Sequence, residues 1–346
     1  TAVGAQSLQV NTVGASNSGF GRYALQNNTA SNNTAVGLSA LQENTTGTIN
    51  TAIGRQALAN NTTGTDNTAV SYSLVTNTTG SNNTAVGKSA LNANTTGANN
   101  VAIGNDALDS NTTGGTNVAI GVDCLQANTT ASDNVGVGHS ALEANTTGVN
   151  NTAVGKNSLK ANTTGTQNVA VGVNALVLNT EGSYNVSLGN YAGQTITTGD
   201  GCVSLGYNAN PSSATVDNEF TLGSSSITSL RCNDTTISSL SDSRDKTDVI
   251  DSPYGLGFIN TVRPVQFKWE SRDGNGKDGW TRVGFIAQEL LVACDGNNAV
   301  LDLVSEENPE KLEAKYGNLL PIAIQAIQDL SAQVDALTAR ITTLEG

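Results

Sequence analysis

The chain has 346 residues and a net charge of −13, with 37 glycines, 5 prolines, no methionine and only 4% aromatic residues. This acidic balance, without a basic stripe, argues against nucleic-acid binding and against attachment to anionic membrane surfaces. No apolar run approaches bilayer length and nothing at the N-terminus resembles a signal peptide, so no membrane insertion is expected. The lack of any methionine, initiator included, indicates a fragment whose N-terminal part is missing.

A glycine recurs every 17 residues through residue 223, and the spacing slips twice to 16. The unit reads N-x-A-(V/I)-G-x-x-A-L-x-x-N-T-T-G, and Ser71 replaces the glycine in one unit. A repeat this short is too small for a helical pair and fits one coil of a parallel β-roll or β-solenoid. The marker glycines are Gly4, Gly21, Gly37, Gly54, Gly87, Gly104, Gly121, Gly138, Gly155, Gly172, Gly189, Gly206 and Gly223.

Each x-A-(V/I)-G segment is predicted to be a short strand whose Ala and Val side chains point to opposite faces. Since both are apolar, both faces should be covered: one packs inside the coil, and the small Ala face is a candidate for packing against another subunit. The N-T-T-G segment is predicted to be a turn in which glycine supplies a positive φ. Asparagines seven residues after the marker are expected to stack as a hydrogen-bonded ladder. They include Asn44, Asn61, Asn94, Asn111, Asn128, Asn145, Asn162 and Asn179.

Two segments of the array, residues 117–121 (NVAIG) and 168–172 (NVAVG), resemble the head repeats of trimeric autotransporter adhesins. That resemblance implies a left-handed parallel β-roll in which three chains surround one axis and touch a host surface. The repeat length differs from that of the adhesins, so the trimeric packing is an implication of the resemblance.

Few residues of the shaft offer chemistry. Asp106 and Asp123 occupy the same position in successive coils, which places their carboxylates about 5 Å apart, near the separation in a retaining glycosidase. The other interpretation of the pair is a solvated ladder or a cation site. Cys124 takes the place of a repeat alanine and is predicted to be a small buried thiol, and His139 is predicted to be exposed. Four dispersed cysteines and a single histidine indicate neither a metal site nor a cofactor.

Charge is denser after the repeats: residues 236–346 carry 27 charged side chains, against 18 in all the residues before them. A Ser/Thr-rich linker over residues 224–240 ends at the motif S-D-S-R-D-K of residues 241–246. The motifs V-G-F-I-A-Q-E (residues 283–289) and Y-G-N-L-L-P (residues 316–321) follow. This order closely resembles the intramolecular chaperone domain of endosialidases, a family also found on phage tail fibres, neck appendages and a myelin regulatory transcription factor.

The resemblance implies a trimer that folds the fibre and then cuts itself free with a Ser–Lys dyad. Carried onto this chain, the scissile bond is Leu240–Ser241, Ser241 is the nucleophile and Lys246 the general base. A lysine acts as a base only when burial or neighbouring cations lower its pKa. The alternative is a chaperone that stays attached as a cap. Three aspartates close in sequence would hold the lysine protonated if they face it: Asp242, Asp245 and Asp248.

The last segment is predicted to be a coiled-coil helix, because apolar residues alternate at spacings of three and four over more than three heptads. Ile and Val at a with Leu at d favour dimers in isolated peptides, but the family resemblance implies trimers and is preferred. The alternative is one helix packed on its own domain. Upstream, residues 273–279 are predicted to be a β-hairpin tip and not a calcium loop. The heptad residues are Leu320, Ala323, Ile327, Leu330, Val334, Leu337, Ile341 and Leu344.

The sequence thus predicts a mainly β protein: a trimeric β-roll or solenoid shaft over residues 1–223, a linker over 224–240, a small α+β chaperone domain over 241–317 and a coiled-coil helix over 318–346. Together the resemblances imply the distal part of a homotrimeric phage tail fibre, a virion protein assembled in the host cytoplasm. Its expected partners are a host receptor, a glycan or outer-membrane component, and upstream fibre or baseplate proteins. The alternatives are a polysaccharide depolymerase tailspike, a cellular trimeric adhesin and an ice-binding threonine array.

Overall fold

The computed structural model describes residues 1–227, 246–268, 280–306 and 312–345, and the chain divides into two compact units, Thr1–Ser224 and Ser225–Gly346. Fourteen short strands in residues 1–227 form one parallel sheet in sequence order. The predicted parallel solenoid of 17-residue coils is thereby confirmed. The strands are β1 Ala2–Val3, β2 Ser18–Phe20, β3 Thr34–Val36, β4 Thr51–Ile53, β5 Thr68–Val70, β6 Thr84–Val86, β7 Val101–Ile103, β8 Val118–Ile120, β9 Val135–Val137, β10 Thr152–Val154, β11 Val169–Val171, β12 Val186–Leu188, β13 Val203–Leu205 and β14 Phe220–Leu222.

Equivalent residues of successive repeats lie directly above one another in the sheet. Thr34 pairs with Thr51, for example, and Val36 with Ile53. Each coil adds about 4.8 Å along the axis, so the shaft is on the order of 60 Å long.

The strands bury their alanines and expose their larger side chains. Ala35, Ala52 and their equivalents have no exposed surface, and they line the interior of the coil. The expectation that the Ala face packs against another subunit is therefore wrong. The outward positions form what we call the outer aliphatic row, whose members are exposed or half-buried: Val36, Ile53, Val70, Val86, Ile103, Ile120, Val137, Val154, Val171, Leu188 and Leu205.

A leucine four residues after the marker fills the rest of the interior in almost every coil. Leu58 and Leu108 are fully buried, and both have a left-handed backbone, with φ of 54° and 52°. A β-branched residue is strongly disfavoured there, because its branch crowds the backbone at positive φ. The repeat accordingly has leucine at this position and valine or isoleucine in the strand.

The predicted asparagine ladder is present and is fully buried. Asn111 donates from Nδ2 to Asn94 Oδ1 at 2.9 Å and to the Gly114 carbonyl at 3.0 Å. A second buried column, which the sequence did not predict, lies four residues before the marker. There the backbone N–H of each asparagine donates to the side chain of its equivalent in the preceding coil, as Asn117 does to Asn100 Oδ1 at 3.0 Å. Two polar columns thus fix the stacking of the coils.

The glycine of the N-T-T-G turn is favoured for a different reason from the one predicted. Gly47 does not adopt a positive φ; instead, a Cβ atom placed on it would lie 2.2 Å from the Gly64 carbonyl oxygen. The positive φ belongs to the marker glycines, such as Gly104 at 140°. Close approach of successive coils therefore disfavours a side chain in the turn, and an exception is the methyl group of Ala131, which takes the equivalent place in one coil.

The second unit is a small mixed α/β region that ends in a long helix. In its described residues, β15 and β16 pair antiparallel, as the predicted hairpin requires; the tip at residues 273–279 lies outside the described residues. β17 and β18 also pair antiparallel. The elements are α1 Leu256–Ile259, β15 Val265–Phe267, β16 Arg282–Gly284, α2 Ala287–Ala293, α3 Asn298–Leu301, β17 Val304–Ser305, β18 Glu313–Ala314 and α4 Leu319–Glu345.

Helix α4 presents two different faces to its surroundings. Leu319, Ile322 and Ala326, in its first turns, are buried against its own unit. The heptad residues from Ile327 onward are exposed, so most of the predicted seam does not pack on the described part of this chain. Among the helices of the described residues, none is both long and apolar enough to span a membrane.

Candidate functional site

The sequence-predicted site falls only partly within the described residues. Leu240 and Ser241 lie outside them, as do Asp242 and Asp245. Lys246 is exposed at the start of the next described segment. Two residues further on, Asp248 has a left-handed backbone with φ of 54°. The geometry of the Ser–Lys dyad therefore remains a sequence-based expectation.

Three segments downstream of the predicted dyad converge in the structure: the two motifs at residues 283–289 and 316–321, and the segment R-P-V-Q-F-K-W that begins at residue 263. Arg263 forms a bidentate ion pair with Glu289. Arg263 is the first residue of the segment R-P-V-Q-F-K-W, and Glu289 is the last residue of V-G-F-I-A-Q-E. The ring of Phe285, in the same motif, packs edge-on against Tyr316 of Y-G-N-L-L-P with ring centroids 5.4 Å apart. The Tyr316 hydroxyl lies 3.4 Å from the Phe285 carbonyl oxygen. Segments distant in sequence thus form one surface beside the hairpin.

Close packing around Tyr316 explains a glycine in the central motif. A Cβ atom on Gly284 would lie 2.8 Å from the Tyr316 hydroxyl and 3.0 Å from the Phe267 ring. The glycine therefore lets β16 approach both aromatic side chains.

A carboxylate on α4 fixes the start of α1. Asp329 Oδ2 accepts the backbone N–H of Leu256 at 2.9 Å, and Asp329 Oδ1 accepts from Gln325. These two hydrogen bonds favour the charged form and lower the pKa of Asp329. The long helix is thereby attached to the segment that leads from Lys246 into the unit.

The cysteines within the described residues are buried and reduced, and burial makes them unreactive. Burial raises the pKa of Cys124 to about 12, so the predicted buried thiol is confirmed. Burial also raises the pKa of Cys202 and of Cys294. The fourth, Cys232, lies outside the described residues. A thiol that stays protonated at neutral pH is a poor nucleophile and metal ligand.

Two acidic residues of the shaft, Asp109 and Asp106, interact in a way that the sequence did not predict. Asp106 and Asp123 are half-buried at equivalent left-handed corners. Partial burial raises the pKa of Asp109, and the nearby Asp106 carboxylate adds to that rise. No group of three or more His, Cys, Asp or Glu side chains suited to a metal ion occurs in the described part of the chain. His139 is exposed, as predicted.

Comparison with known proteins gives a match near the C-terminus. No curated protein and no solved structure matches the chain significantly. Residues 241–299 match the family model described as chaperone of endosialidase. The matched range begins at the motif serine and includes two of the three converging motifs. The resemblance drawn from the sequence motifs is thereby confirmed for this part of the chain, which follows a parallel β-solenoid of 17-residue repeats.

Proposed function

We propose that this chain is the distal part of a trimeric tail fibre or tailspike of a bacteriophage. Its solenoid would contact the host surface, and its C-terminal unit would act as an intramolecular chaperone. The observation that carries the proposal is the match of residues 241–299 to the chaperone of endosialidase, directly following a β-solenoid. Upstream fibre or baseplate proteins would hold the shaft on the virion.

The outer aliphatic row supports assembly of the shaft from several copies. Ile53, Ile103 and Ile120 each leave about two fifths of their surface exposed, at 43%, 39% and 38%. Soluble monomers rarely expose a continuous apolar patch running the length of a domain. A second copy has the same rise per coil and matches the row from coil to coil. Three parallel copies around one axis would cover this row on every chain.

The heptad seam of α4 supports assembly from several copies in the C-terminal unit as well. Leu330, Val334, Leu337 and Ile341 are each at least half exposed. Such a seam is covered when helices of other copies pack against it.

A chaperone answers a folding problem that the repeats create. A slip of one chain by one coil restores most contacts between near-identical repeats, so many registers have similar energies. A C-terminal trimer that forms first aligns the three chains before the shaft closes.

Expression of the full chain beside a chain ending at residue 240 tests this proposal. Light scattering should give a trimer mass for the full chain and aggregated or misregistered material for the truncated one. A full chain with Ser241→Ala is the matched control, because it keeps the chaperone attached. A monomer mass for the full chain, or soluble and regular trimers from the truncated chain, would contradict the proposal.

Autocleavage at Leu240–Ser241 is the enzymatic part of the proposal. Lys246 would take the proton of the Ser241 hydroxyl, whose oxygen attacks the Leu240 carbonyl carbon. The peptide bond breaks as the ester forms and the Ser241 amine takes up the proton. Water then hydrolyses the ester and leaves a carboxylate on Leu240.

A denaturing gel with N-terminal sequencing tests the cleavage. The wild type should give fragments of about 240 and 106 residues, the smaller beginning at Ser241. Ser241→Ala and Lys246→Ala should stay uncut but trimeric, because folding precedes cutting. Asp245→Leu should accelerate cleavage if that carboxylate keeps the lysine charged. Wild-type protein that remains full length after long incubation would show that the chaperone stays on as a cap.

A further inference from the structure

One coil of the shaft lacks a corner residue. In the coils of β2 to β4 and β6 to β13, the residue two positions after the marker donates its N–H to the preceding coil. Gln56 donates to the Leu38 carbonyl at 2.9 Å, and Ser89 to the Tyr72 carbonyl at 2.7 Å. These bonds form a ladder along the corner of the shaft, and the coil of β5 interrupts this ladder.

The missing residue belongs between Tyr72 and Ser73. Ser73 is fully buried and takes the place of the interior alanine, since its carbonyl accepts the N–H of Leu58 at 3.1 Å. The chain therefore passes from the outer corner to the interior one residue early. Among the described residues no backbone donor reaches the carbonyl oxygen of Arg55. An acceptor that is satisfied in the coils of β1 to β3 and β5 to β12 is left open here.

The shortened corner leaves a notch of about 640 Å³ on the shaft surface. That volume lies within the range of small-molecule sites. Its floor is the coil of β5, where Ser71 replaces the marker glycine, and its walls are the two neighbouring coils. The notch is lined by Gly54, Arg55, Gln56, Ser71, Tyr72 and Lys88.

The notch also concentrates positive charge in an acidic protein. Residues 1–227 contain only five Lys or Arg side chains, of which Arg55 and Lys88 are two. Both are exposed, and neither forms an ion pair with a described residue. They stand two coils apart, so their backbones are separated by about 10 Å along the axis. Tyr72 lies between them, half-buried.

We propose that this notch binds an acidic saccharide. Carboxylates of the saccharide would pair with Arg55 and Lys88, whose spacing suits charges on alternate sugars. Sugar hydroxyls would donate to the open carbonyl of Arg55 and bond to the Gln56 amide, and a sugar face would pack on the Tyr72 ring. The inference rests on the proposed attachment function, because it names the class of host-surface molecule that the shaft contacts.

Calorimetric titration of the full chain tests the notch. The probes are a tetramer of galacturonic acid, a tetramer of sialic acid, the methyl-esterified galacturonate tetramer and tetra-aspartate. At least one acidic saccharide should bind, and loss of its charge or replacement by the peptide should weaken binding at least tenfold. Arg55→Gln and Lys88→Gln should each weaken binding at least tenfold. Insertion of one asparagine between Tyr72 and Ser73, which restores the corner, should abolish it.

Lys156→Gln is the matched control, since Lys156 has the same position in a coil whose corner ladder is intact: Asn174 donates to its carbonyl at 2.9 Å. This variant should bind as the wild type does. Absence of binding to both acidic saccharides, equal binding of tetra-aspartate, an equal loss in Lys156→Gln, or unchanged binding by the insertion variant would overturn the proposal. The same samples are sized by light scattering. A trimer that binds none of the saccharides would refute the saccharide proposal alone. A monomer would refute the proposal that the chain is a trimeric fibre.

Discussion

The buried asparagine ladder should contribute a large share of the stability of each coil, and Asn111→Ala tests its centre. The Asn111 side chain takes part in three hydrogen bonds: its Nδ2 donates to Asn94 and to Gly114, and its Oδ1 accepts from Asn128 at 2.8 Å. The side chain has no exposed surface, so water does not replace it. Alanine removes all three bonds at once.

The expected loss of stability depends on which hydrogen bonds the partners of Asn111 retain. Gly114 still accepts from Asn100, and Asn128 still donates to Ala131, but Asn94 Oδ1 loses its hydrogen-bond donor. Each of the three lost hydrogen bonds contributes about 1 kcal/mol net, and the unpaired buried acceptor costs about 1–2 kcal/mol more. The free energy of unfolding should therefore fall by roughly 4–5 kcal/mol per chain. For a unit of this size that lowers Tm by about 10 °C. Since each coil contacts only its neighbours, the loss should be local.

Thermal unfolding combined with hydrogen exchange and mass spectrometry measures both quantities. Exchange should rise most in the coils of β6 to β8, which surround the substitution. Asn105→Ala is the control, because Asn105 is exposed and, among the described residues, its side-chain amide donates a hydrogen bond only to the neighbouring Asp106. It should change stability by no more than about 0.5 kcal/mol. Equal Tm values for the two variants, or exchange that rises evenly along the shaft, would refute the ladder's role.

Two further predictions follow from the pKa shifts. Cys124, with its pKa raised to about 12, should resist iodoacetamide at pH 8 in the folded protein and react after denaturation. Peptide mass spectrometry measures the labelled fraction. Fast labelling of the native chain would contradict the prediction. Asp329 has a lowered pKa, so its charge stabilises the fold fully above its unfolded pKa of about 3.9, and that contribution is lost as pH falls through the folded value. The stability difference between wild type and Asp329→Asn, followed by denaturant unfolding, should be constant above about pH 5 and shrink in more acidic solution; a difference independent of pH would count against the Asp329–Leu256 bond.

The solenoid was predictable because a 17-residue period leaves little choice of architecture, but the orientation of its strands was not. Alternation in T-A-V shows that Ala35 and Val36 face opposite ways without showing which side is interior. The interior already contains one leucine from almost every coil, such as Leu41 at the left-handed corner, and this leaves room only for a small strand residue. The strand residue is therefore alanine, and the valine is outside.

The second asparagine column was missed for a related reason. Asn117 belongs to the repeat consensus, but its backbone N–H donates to the side chain of Asn100 in the preceding coil. The sequence of a single repeat does not show a hydrogen bond between two coils. In the C-terminal unit, the motifs were recognised one by one. Their convergence through Arg263 and Glu289, and through Phe285 and Tyr316, joins segments 26 and 31 residues apart, which spacing alone does not specify.

The two irregular coils affect how strongly the shaft opposes a slip in register between copies. If the outer aliphatic row packs between copies, near-identical coils give almost the same contact in every register, and the interface itself barely opposes a slip. The two 16-residue units are exceptions: a slip by one coil would set the shortened corner at Ser71 against a full-length coil. Such mismatches are few and lie far from the C-terminal unit in sequence, so a shaft that closes from its C-terminal end would meet them only after most of it has formed. If the chain forms the proposed trimer, early alignment by its C-terminal unit would therefore be a kinetic requirement, most of all where the repeats are most alike.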